Sequence, residues 1–225
     1  MDCRKCRGRA TLRLDVPSGE RGGGRRELSG RPAAKRDIAE AVSDAAERLQ
    51  RFDRTISLRD GTLVRMRPIR ADDAARLVAL YDHLSRDSRY GRFFSVMQRL
   101  PPDWARFHAD VDYESRLALV VESSEDPDTL IAVARYEPAG EPGVAEVAFV
   151  VQDGWQDRGL GTVLFNELLA AARLNGIRRF SAWVLADNRR MLDLIARLGE
   201  VSRRSIDQGV VELSFTARPE RSSGS

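Results

Sequence analysis

The sequence predicts one α/β domain, and three observations support this fold class. Short apolar runs typical of strands alternate along the chain with longer segments of helical periodicity. The run Ala145–Val151 is apolar and β-branched apart from Glu146, as expected for a strand covered on both faces. A glycine-rich helix start, Gln156–Thr162, follows this run almost directly. With 225 residues, the chain is long enough for one well-formed core and an extension.

Composition indicates a globular protein from a reducing compartment. Hydrophobic residues make up 42% of the chain and charged residues 32%, which excludes a disordered or membrane class. No apolar run approaches the roughly 20 residues of a membrane span. The two cysteines, Cys3 and Cys6, are too few for a tetrahedral zinc site and provide no disulfide framework. We therefore expect a cytoplasmic protein without a metal, and the basic N-terminus lacks the apolar segment of a secretory signal.

The two ends of the chain differ from its centre. Residues 1–32 are rich in Gly and Arg without apolar periodicity, so we expect a disordered basic arm. Such an arm can bind nucleic acid, but we favour the interpretation that it is a solvated tail. Residues 33–55 are expected to form an amphipathic helix and linker, because apolar residues recur at helical spacing from Ile38 to Phe52. Such a helix would pack on the domain or on a partner. The domain itself is expected at 56–217, followed by a polar tail at 218–225.

Local patterns predict the elements of the domain in order. Arg59-Asp-Gly-Thr62 is a hairpin signal between the first two apolar runs. Strands are expected at Ile56–Leu58, Leu63–Ile69, Arg116–Val121, Leu130–Tyr136, Ala145–Val151, Arg179–Val184, Val201–Ile206 and Val210–Phe215. Helices are expected at Ala71–Leu84, Ser88–Met97, Asp103–Val111, from the glycine-rich start to Asn175-Gly176, and at Asp187–Leu198. In the second helix, Phe93 and Phe94 are expected to be buried, and in the last helix Asp187 is expected to be the N-cap.

Two glycines in a first helical turn require an explanation, because glycine costs about 1 kcal/mol relative to alanine in a helix interior. A helix start presents free N–H groups and a dipole that favours anions. The absence of Cβ at Gly159 and Gly161 would let a phosphate come close, and Arg158 would add a cation. Alternatively, Gly159 only serves a loop that needs a positive φ. A dinucleotide fingerprint fits less well, because Leu164 stands where a third glycine is needed, and no Gly-Lys-Ser/Thr for a P-loop is present.

The pattern Gln156-x-x-Gly159-x-Gly161 after an apolar strand resembles the acetyl-CoA signature of the GNAT acetyltransferases. The resemblance extends over Ile56–Phe215 and is closest to the bacterial protein-lysine acetyltransferase branch. It includes the stretches Arg67-Pro-Ile-Arg70, Leu84-Ser-Arg-Asp-Ser-Arg-Tyr90, Arg92-Phe-Phe94, Ala145-Glu-Val-Ala-Phe149 and Leu185-Ala-Asp-Asn188. It implies a mixed, twisted central sheet flanked by helices. It also implies an acetyl-CoA-dependent N-acetyltransferase that acts on an amine, first of all a protein lysine.

The resemblance further implies where the cofactor lies. The backbone of Phe149, Val150 and Val151 would pair with the pantetheine arm, and Asn188 would lie near it. Gln156 belongs to the signature, and the N–H groups that would hold the pyrophosphate are those of Arg158, Gly159, Leu160, Gly161 and Thr162. The amine would attack the thioester directly. Larger relatives carry an additional nucleotide-sensing or synthetase-like module, for which we expect no room in this chain.

Glu146 is the candidate catalytic base. A carboxylate inside an apolar strand is costly to bury without a partner, and desolvation raises its pKa into the range of a general base. Spacing alone favours an ion pair with an arginine, whereas the resemblance implies an acid with a catalytic role at this place. The tyrosine that often follows the asparagine is replaced by Ile195 and Ala196, which leaves water, Tyr90 or Tyr113 as the general acid. A CoA-binding module without catalysis and an acetyltransferase for small amines remain the alternatives.

Overall fold

A computed structural model describes residues 47–94 and 97–218. The predictions for the basic arm, for most of the 33–55 helix and for nearly all of the C-terminal tail concern residues outside these ranges. Within them, no helix is long and apolar enough to cross a lipid bilayer.

The described residues form an α/β fold with one mixed sheet. Its strands are β1 Arg54–Ser57, β2 Leu63–Pro68, β3 Leu117–Ser123, β4 Leu130–Pro138, β5 Val144–Val151, β6 Arg179–Leu185, β7 Gly199–Asp207 and β8 Val210–Ala217. The helices are α1 Ala74–Asp82, α2 Arg86–Phe93, α3 Pro102–Ala109, α4 Leu160–Leu174 and α5 Arg189–Leu198. Short 3₁₀ turns span Gln50–Phe52, Ala71–Asp73 and Asp153–Trp155. Each strand and helix predicted for the domain is present among the described residues, with ends that differ by a few residues.

The strand order in the sheet is β1-β2-β3-β4-β5-β6-β8-β7. Every neighbouring pair is antiparallel except β5 and β6, which run parallel. This exchange of direction makes the sheet mixed, as the resemblance implied. The α4 helix is the crossover between the two parallel strands, because a parallel pair cannot be joined by a tight turn.

The two faces of the sheet carry separate apolar cores. One contains the buried face of α4 and three phenylalanine rings, with Phe165 6.1 Å from Phe215 and Phe180 stacked 5.5 Å from Phe215. The other lies under α1 and α3 and includes Val150 of β5. Leu49 and Phe52, at the end of the expected N-terminal helix, are also fully buried in the first core. The chain therefore enters the domain before β1 begins at Arg54.

One prediction about the second helix is wrong. Phe93 and Phe94 are only half-buried, because α2 ends at Phe93 and Phe94 turns into the left-handed region with a φ of 49°. Phe93 reaches the edge of the second core, where its ring lies 5.2 Å from that of Tyr81. The helix therefore covers the core with one side chain and leaves its remaining surface beside the open part of the sheet.

A buried charge cluster fixes β2 to the start of α1. Arg67 is 1% exposed and donates to both carboxylate oxygens of Asp73 over 2.7 Å and to Glu122 over 2.8 Å. Arg76 donates to the same two carboxylates over 2.9 Å. Burial alone would lower the pKa of Arg67, but its hydrogen bonds to Asp73 and Glu122 raise it, so the guanidinium stays charged. Two cations and two anions thus balance inside the fold.

Removing Arg67 should therefore destabilise the domain strongly. We expect Arg67→Ala to lower the free energy of unfolding by roughly 3–5 kcal/mol, because two carboxylates lose their main partner while staying buried. Arg65→Ala is the control on the same strand, since Arg65 is half-exposed, pairs mainly with Asp53 over 2.8 Å and approaches Glu122 only to 3.9 Å. Its loss should stay within about 1 kcal/mol. Equal losses in urea denaturation of the two variants would contradict this interpretation of the cluster.

Candidate active site

The parallel strands β5 and β6 diverge and open a cleft in the middle of the sheet. Their pairing covers only three positions, from Val144 opposite Arg179 to Glu146 opposite Ser181. Beyond this point, β5 remains paired with β4 on its other side as far as Val151. The N–H and C=O groups on the open side of β5 can therefore accept an extended ligand as an additional strand. The resulting cleft has a volume of about 1070 Å³.

The glycine-rich loop, Gln156–Gly161, forms one end of the cleft. Gly159 is the N-cap of α4 and adopts a φ of 86°, a conformation that side-chain-bearing residues rarely take. Gly161 does not have a positive φ. The protein also has room for a side chain there, because an added Cβ would meet only Phe149 at 3.6 Å and Val151 at 4.0 Å. The loop interpretation thus explains Gly159. Gly161 leaves bare backbone beside the first N–H groups of α4, where an anion could come close.

A hydrogen-bond hub attaches α2 to the end of β5. Asp153 accepts from the backbone N–H of Ser85 over 2.8 Å and from the hydroxyls of Ser85 and Ser88 over 2.7 and 2.8 Å. Burial acts to raise the pKa of Asp153, but these hydrogen bonds outweigh it and lower the pKa. Gln156 donates to Ser88 over 3.2 Å and to the carbonyl of Val151 over 3.1 Å. Gln156 therefore holds α2 and the end of β5 together on one side of the cleft.

The opposite wall is formed by the end of β6 and the start of α5. Here the predicted N-cap is wrong, because Asn188 rather than Asp187 caps the helix, with its side-chain oxygen accepting from the N–H of Met191 over 3.1 Å. Asn188 also lines the cleft. Capping orients its amide, so that the side chain is held in place beside the open edge of β5.

The structure brings most of the predicted cofactor residues together. Those that line the cleft are Phe149, Val150, Val151, Gln156, Gly159, Gly161, Thr162 and Asn188. The side chains of Arg158 and Leu160 do not line it. Leu160 is 1% exposed in the core. Arg158 lies 3.4 Å from Asp60 and over the ring of Trp155 at 4.9 Å, so only the backbone of these two residues can serve a ligand.

Sequence reasoning missed three arginines that line the cleft near the glycine-rich loop. Arg197 donates to the hydroxyl of Thr162 over 2.9 Å. Arg190 pairs with Asp157 over 2.9 Å. Arg59 reaches the loop from the turn between β1 and β2. No local motif could indicate them, because they come from α5 and from the β1–β2 turn, away from the loop in sequence; together they bring three guanidinium groups to this end of the cleft.

Glu146 lies where β5 and β6 separate. It is half-buried on the α1–α3 face of the sheet, the face to which Val150 also contributes. Burial raises the pKa of Glu146 above its ordinary value; Arg92 opposes this shift and Glu137 adds to it. Arg92 acts on Glu146 only at longer range, and within the described residues Glu146 has no ion-pair partner. The ion-pair interpretation is therefore not supported here.

The neighbouring carboxylate, Glu137, has a pKa that is displaced in the opposite direction to that of Glu146. Glu137 faces Glu146 across the β4–β5 ladder. It lies 2.6 Å from Arg135 and 3.4 Å from His108. Burial acts to raise the pKa of Glu137, but His108 and Arg135 hold it at about 2. Two adjacent carboxyls with pKa values displaced in opposite directions are typical of a site in which one takes up protons and the other stays charged.

The two candidate phenols differ in position. Tyr113 donates its hydroxyl to the carbonyl of Ile69 over 2.8 Å and does not line the cleft. Tyr90, on α2, lines the cleft and is 44% exposed. Ile195, at the place expected for a tyrosine, is fully buried in the core. Of the two, only Tyr90 can reach a ligand in the cleft.

Comparisons with known proteins identify the family of this chain. The sequence profile of the family described as "Acetyltransferase (GNAT) family" matches residues 77–199. An acetyltransferase of Pseudomonas aeruginosa is 34% identical over 152 residues, covering 67% of this chain and 82% of that protein. Acetyltransferase Pat of Mycolicibacterium smegmatis is 36% identical over 184 residues, which are 79% of this chain. The chain spans only 54% of the length of that relative.

A solved structure shows similarity to the same family. The crystal structure of the GNAT domain of S. lividans PAT is similar with a TM-score of 0.66 and 37% identity. The similarity covers 74% of this chain and 97% of that domain.

The contrast between the two carboxyls predicts opposite effects on stability. A carboxyl whose pKa is raised by folding reduces stability above its folded pKa, because the charged form is penalised. We expect Glu146→Gln to raise the free energy of unfolding at pH 7, and the gain to vanish as the pH falls below the ordinary value of 4.5. Glu137 behaves in the opposite way, because folding lowers its pKa to about 2. Its ionised carboxylate stabilises the folded state above pH 4.5, and this contribution is lost as the pH falls toward 2.

The matched variant Glu137→Gln should therefore lose roughly 3 kcal/mol at pH 7, because Arg135 would be left without its partner. Denaturation of both variants and the parent between pH 3 and 8 measures the difference. A Glu146→Gln variant less stable than the parent at pH 7 would contradict the absence of a strong partner for Glu146.

Proposed function

Because this chain belongs to the acetyltransferase (GNAT) family, we propose that its acceptors are the side-chain amines of protein lysines. The chain is an acetyltransferase, and acetyl-CoA is its acetyl donor. The observation that carries the lysine proposal is the similarity to Pat, both in sequence and in the GNAT domain of S. lividans PAT. The resemblance of its motifs to the protein-lysine branch supports the same acceptor.

The open edge of β5 and the start of α4 are suited to the two parts of CoA. The cleft offers an unpaired strand edge for the amide-bearing pantetheine arm, along Phe149–Val151. It ends at N–H groups, bare backbone at Gly161 and surrounding arginines, which suit a pyrophosphate. We assign these contacts to the residues that line the cleft, with Arg158 and Leu160 contributing backbone only. Asn188 is assigned a place beside the pantetheine.

Glu146 is proposed as the general base. An ammonium must lose a proton before its nitrogen can attack the thioester that acetyl-CoA supplies. A carboxyl with a raised pKa at the point where the strands separate is suited to take that proton, directly or through a water molecule. Glu137 stays ionised beside it and favours its protonated form. Tyr90 is the candidate to protonate the departing thiolate, because its phenol lines the cleft.

The proposed role of Glu146 predicts a specific kinetic defect. We expect Glu146→Gln to lower turnover by roughly 10²–10⁴, because the shape is kept and the proton acceptor is removed. Acetyl-CoA affinity by calorimetry should be unchanged, and the acidic limb of the pH–rate profile should disappear. Glu141→Gln is the control, since Glu141 is an exposed residue of the loop before β5. Turnover near that of the parent enzyme in Glu146→Gln would exclude the base assignment.

The acceptor can be tested with unusually low background. The chain has only two lysines, Lys5 and Lys35, and all its other cationic side chains are arginine or histidine. Few of its own amines can therefore be acetylated in the assay. We expect acetyl-CoA turnover with a panel of lysine-containing proteins, and mass spectrometry should locate acetyl groups on their ε-amines. The same panel includes small primary amines as the competing class. Turnover confined to small amines, with no acetyl-lysine formed on any protein, would reject the lysine proposal and leave the family assignment intact.

A further inference from the structure

We propose that Arg59, on the turn between β1 and β2, supplies the cation that pairs with the pyrophosphate of CoA. This inference rests on the cofactor site proposed above and adds a residue that lies about 100 positions before the glycine-rich loop in sequence. The sequence pointed to Arg158 for this role. The contacts of the two arginines reverse that assignment.

The β1–β2 turn is a closed and ordered structure. The N–H of Leu58 donates to the carbonyl of Thr62 over 2.8 Å, and the N–H of Gly61 donates back to the carbonyl of Leu58 over 3.0 Å. Asp60 accepts from the N–H of Thr62 over 3.0 Å. Gly61 permits the turn with a φ of 82°. The backbone of Arg59 is therefore held by the residues on both sides.

This turn is attached to the glycine-rich loop at two points. The N–H of Arg59 donates to the carbonyl of Arg158 over 3.2 Å. The side chain of Arg158 lies 3.4 Å from Asp60. The same guanidinium lies over Trp155, so Arg158 is directed at the turn and away from the cleft. The cation of the signature thus serves to hold the turn in place.

The side chain of Arg59 crosses the glycine-rich loop. A Cβ on Gly159 would lie 3.0 Å from its Nε and 3.2 Å from its Cδ, so the arginine packs directly on the bare backbone before α4. Arg59 also lines the cleft. Its guanidinium is thereby placed beside the first N–H groups of α4, the end of the helix where the dipole favours an anion.

The guanidinium of Arg59 differs from those of the other arginines at this end of the cleft, because within residues 47–94 and 97–218 it has neither a hydrogen-bond nor an ion-pair partner. Arg158 pairs with Asp60, Arg190 with Asp157, and Arg197 with the hydroxyl of Thr162. Among the described residues, no carboxylate pairs with Arg59. A guanidinium that is positioned by its backbone and has its donors free is suited to a phosphate, which can take two of its N–H bonds at once.

Calorimetry with acetyl-CoA tests the proposal without relying on turnover. We expect Arg59→Ala to raise the dissociation constant for acetyl-CoA by roughly 10- to 100-fold, which corresponds to the loss of a hydrogen bond to a charged group. Arg59→Lys should recover part of this loss, because the charge remains and the two-pronged geometry is lost. Arg54→Ala is the matched control, since Arg54 lies on β1 and pairs with Glu167 of α4 outside the cleft. Its dissociation constant should equal that of the parent.

A second ligand identifies the phosphate. The loss in Arg59→Ala should be equally large with 3′-dephospho-CoA, because that ligand keeps the pyrophosphate and lacks only the 3′-phosphate. A loss that disappears with 3′-dephospho-CoA would overturn the pyrophosphate assignment, and an unchanged dissociation constant for acetyl-CoA would overturn the role of Arg59 altogether.

Gly161→Glu separates this inference from the proposed cofactor site. A glutamate there would place a side chain and a negative charge at the start of α4, and Gly161→Gln controls for its size. Loss of acetyl-CoA binding in folded Gly161→Glu, together with unchanged binding in Arg59→Ala, would reject only the role of Arg59. Unchanged binding in both variants would reject the site itself. Thermal unfolding of Gly161→Ala shows whether the fold itself tolerates a Cβ here, since that Cβ would make only ordinary contacts within the protein.

Discussion

The separation of β5 from β6 is the constraint on which the rest of the site depends. Two parallel strands at the centre of a sheet normally pair along their whole length, because each unpaired backbone group that is buried costs free energy. Here the ladder ends after three positions. The remaining groups of β5 face an open cleft, where water or a ligand can satisfy them. The fold therefore keeps a strand edge in its interior, shielded from the uncontrolled pairing to which an outer edge is exposed.

The two faces of the sheet contribute different kinds of side chain to this opening. On the α4 side, β5 contributes Phe149, whose ring lies 5.4 Å from that of Phe165, so the floor of the cleft is apolar and rigid. On the α1–α3 side, β5 contributes Glu146, next to the ion pair of Glu137 with Arg135 and the buried ring of His108. Because side chains alternate along a strand, a single strand can support the cofactor with one face and place a titratable group with the other.

The sequence revealed the parts of this site that are encoded locally. The strand at 145–151, the glycine-rich start of α4 and the position of Glu146 all follow from patterns within a few residues, and the structure places them as expected. Contacts between distant segments could not be read in this way. The side chain of Arg158 lies against Asp60, about 100 positions earlier in sequence, and Asn188 rather than Asp187 caps α5; neither contact could be inferred from the local pattern. The prediction that Phe93 and Phe94 are buried was wrong for a different reason, because α2 ends at Phe93 and Phe94 turns into the left-handed region.

The cations that surround the cleft share one chemical property. Arg59, Arg190 and Arg197 near the glycine-rich loop, and Arg92 near Glu146, are all guanidinium groups. A guanidinium stays protonated at any pH at which the enzyme works, so it keeps its charge and offers no free amine to a thioester. A lysine in the same place could both lose its charge on burial and compete with the acceptor. The proposed site would bring an activated acetyl group and a phosphate anion together, and arginine suits both better than lysine at each of these positions.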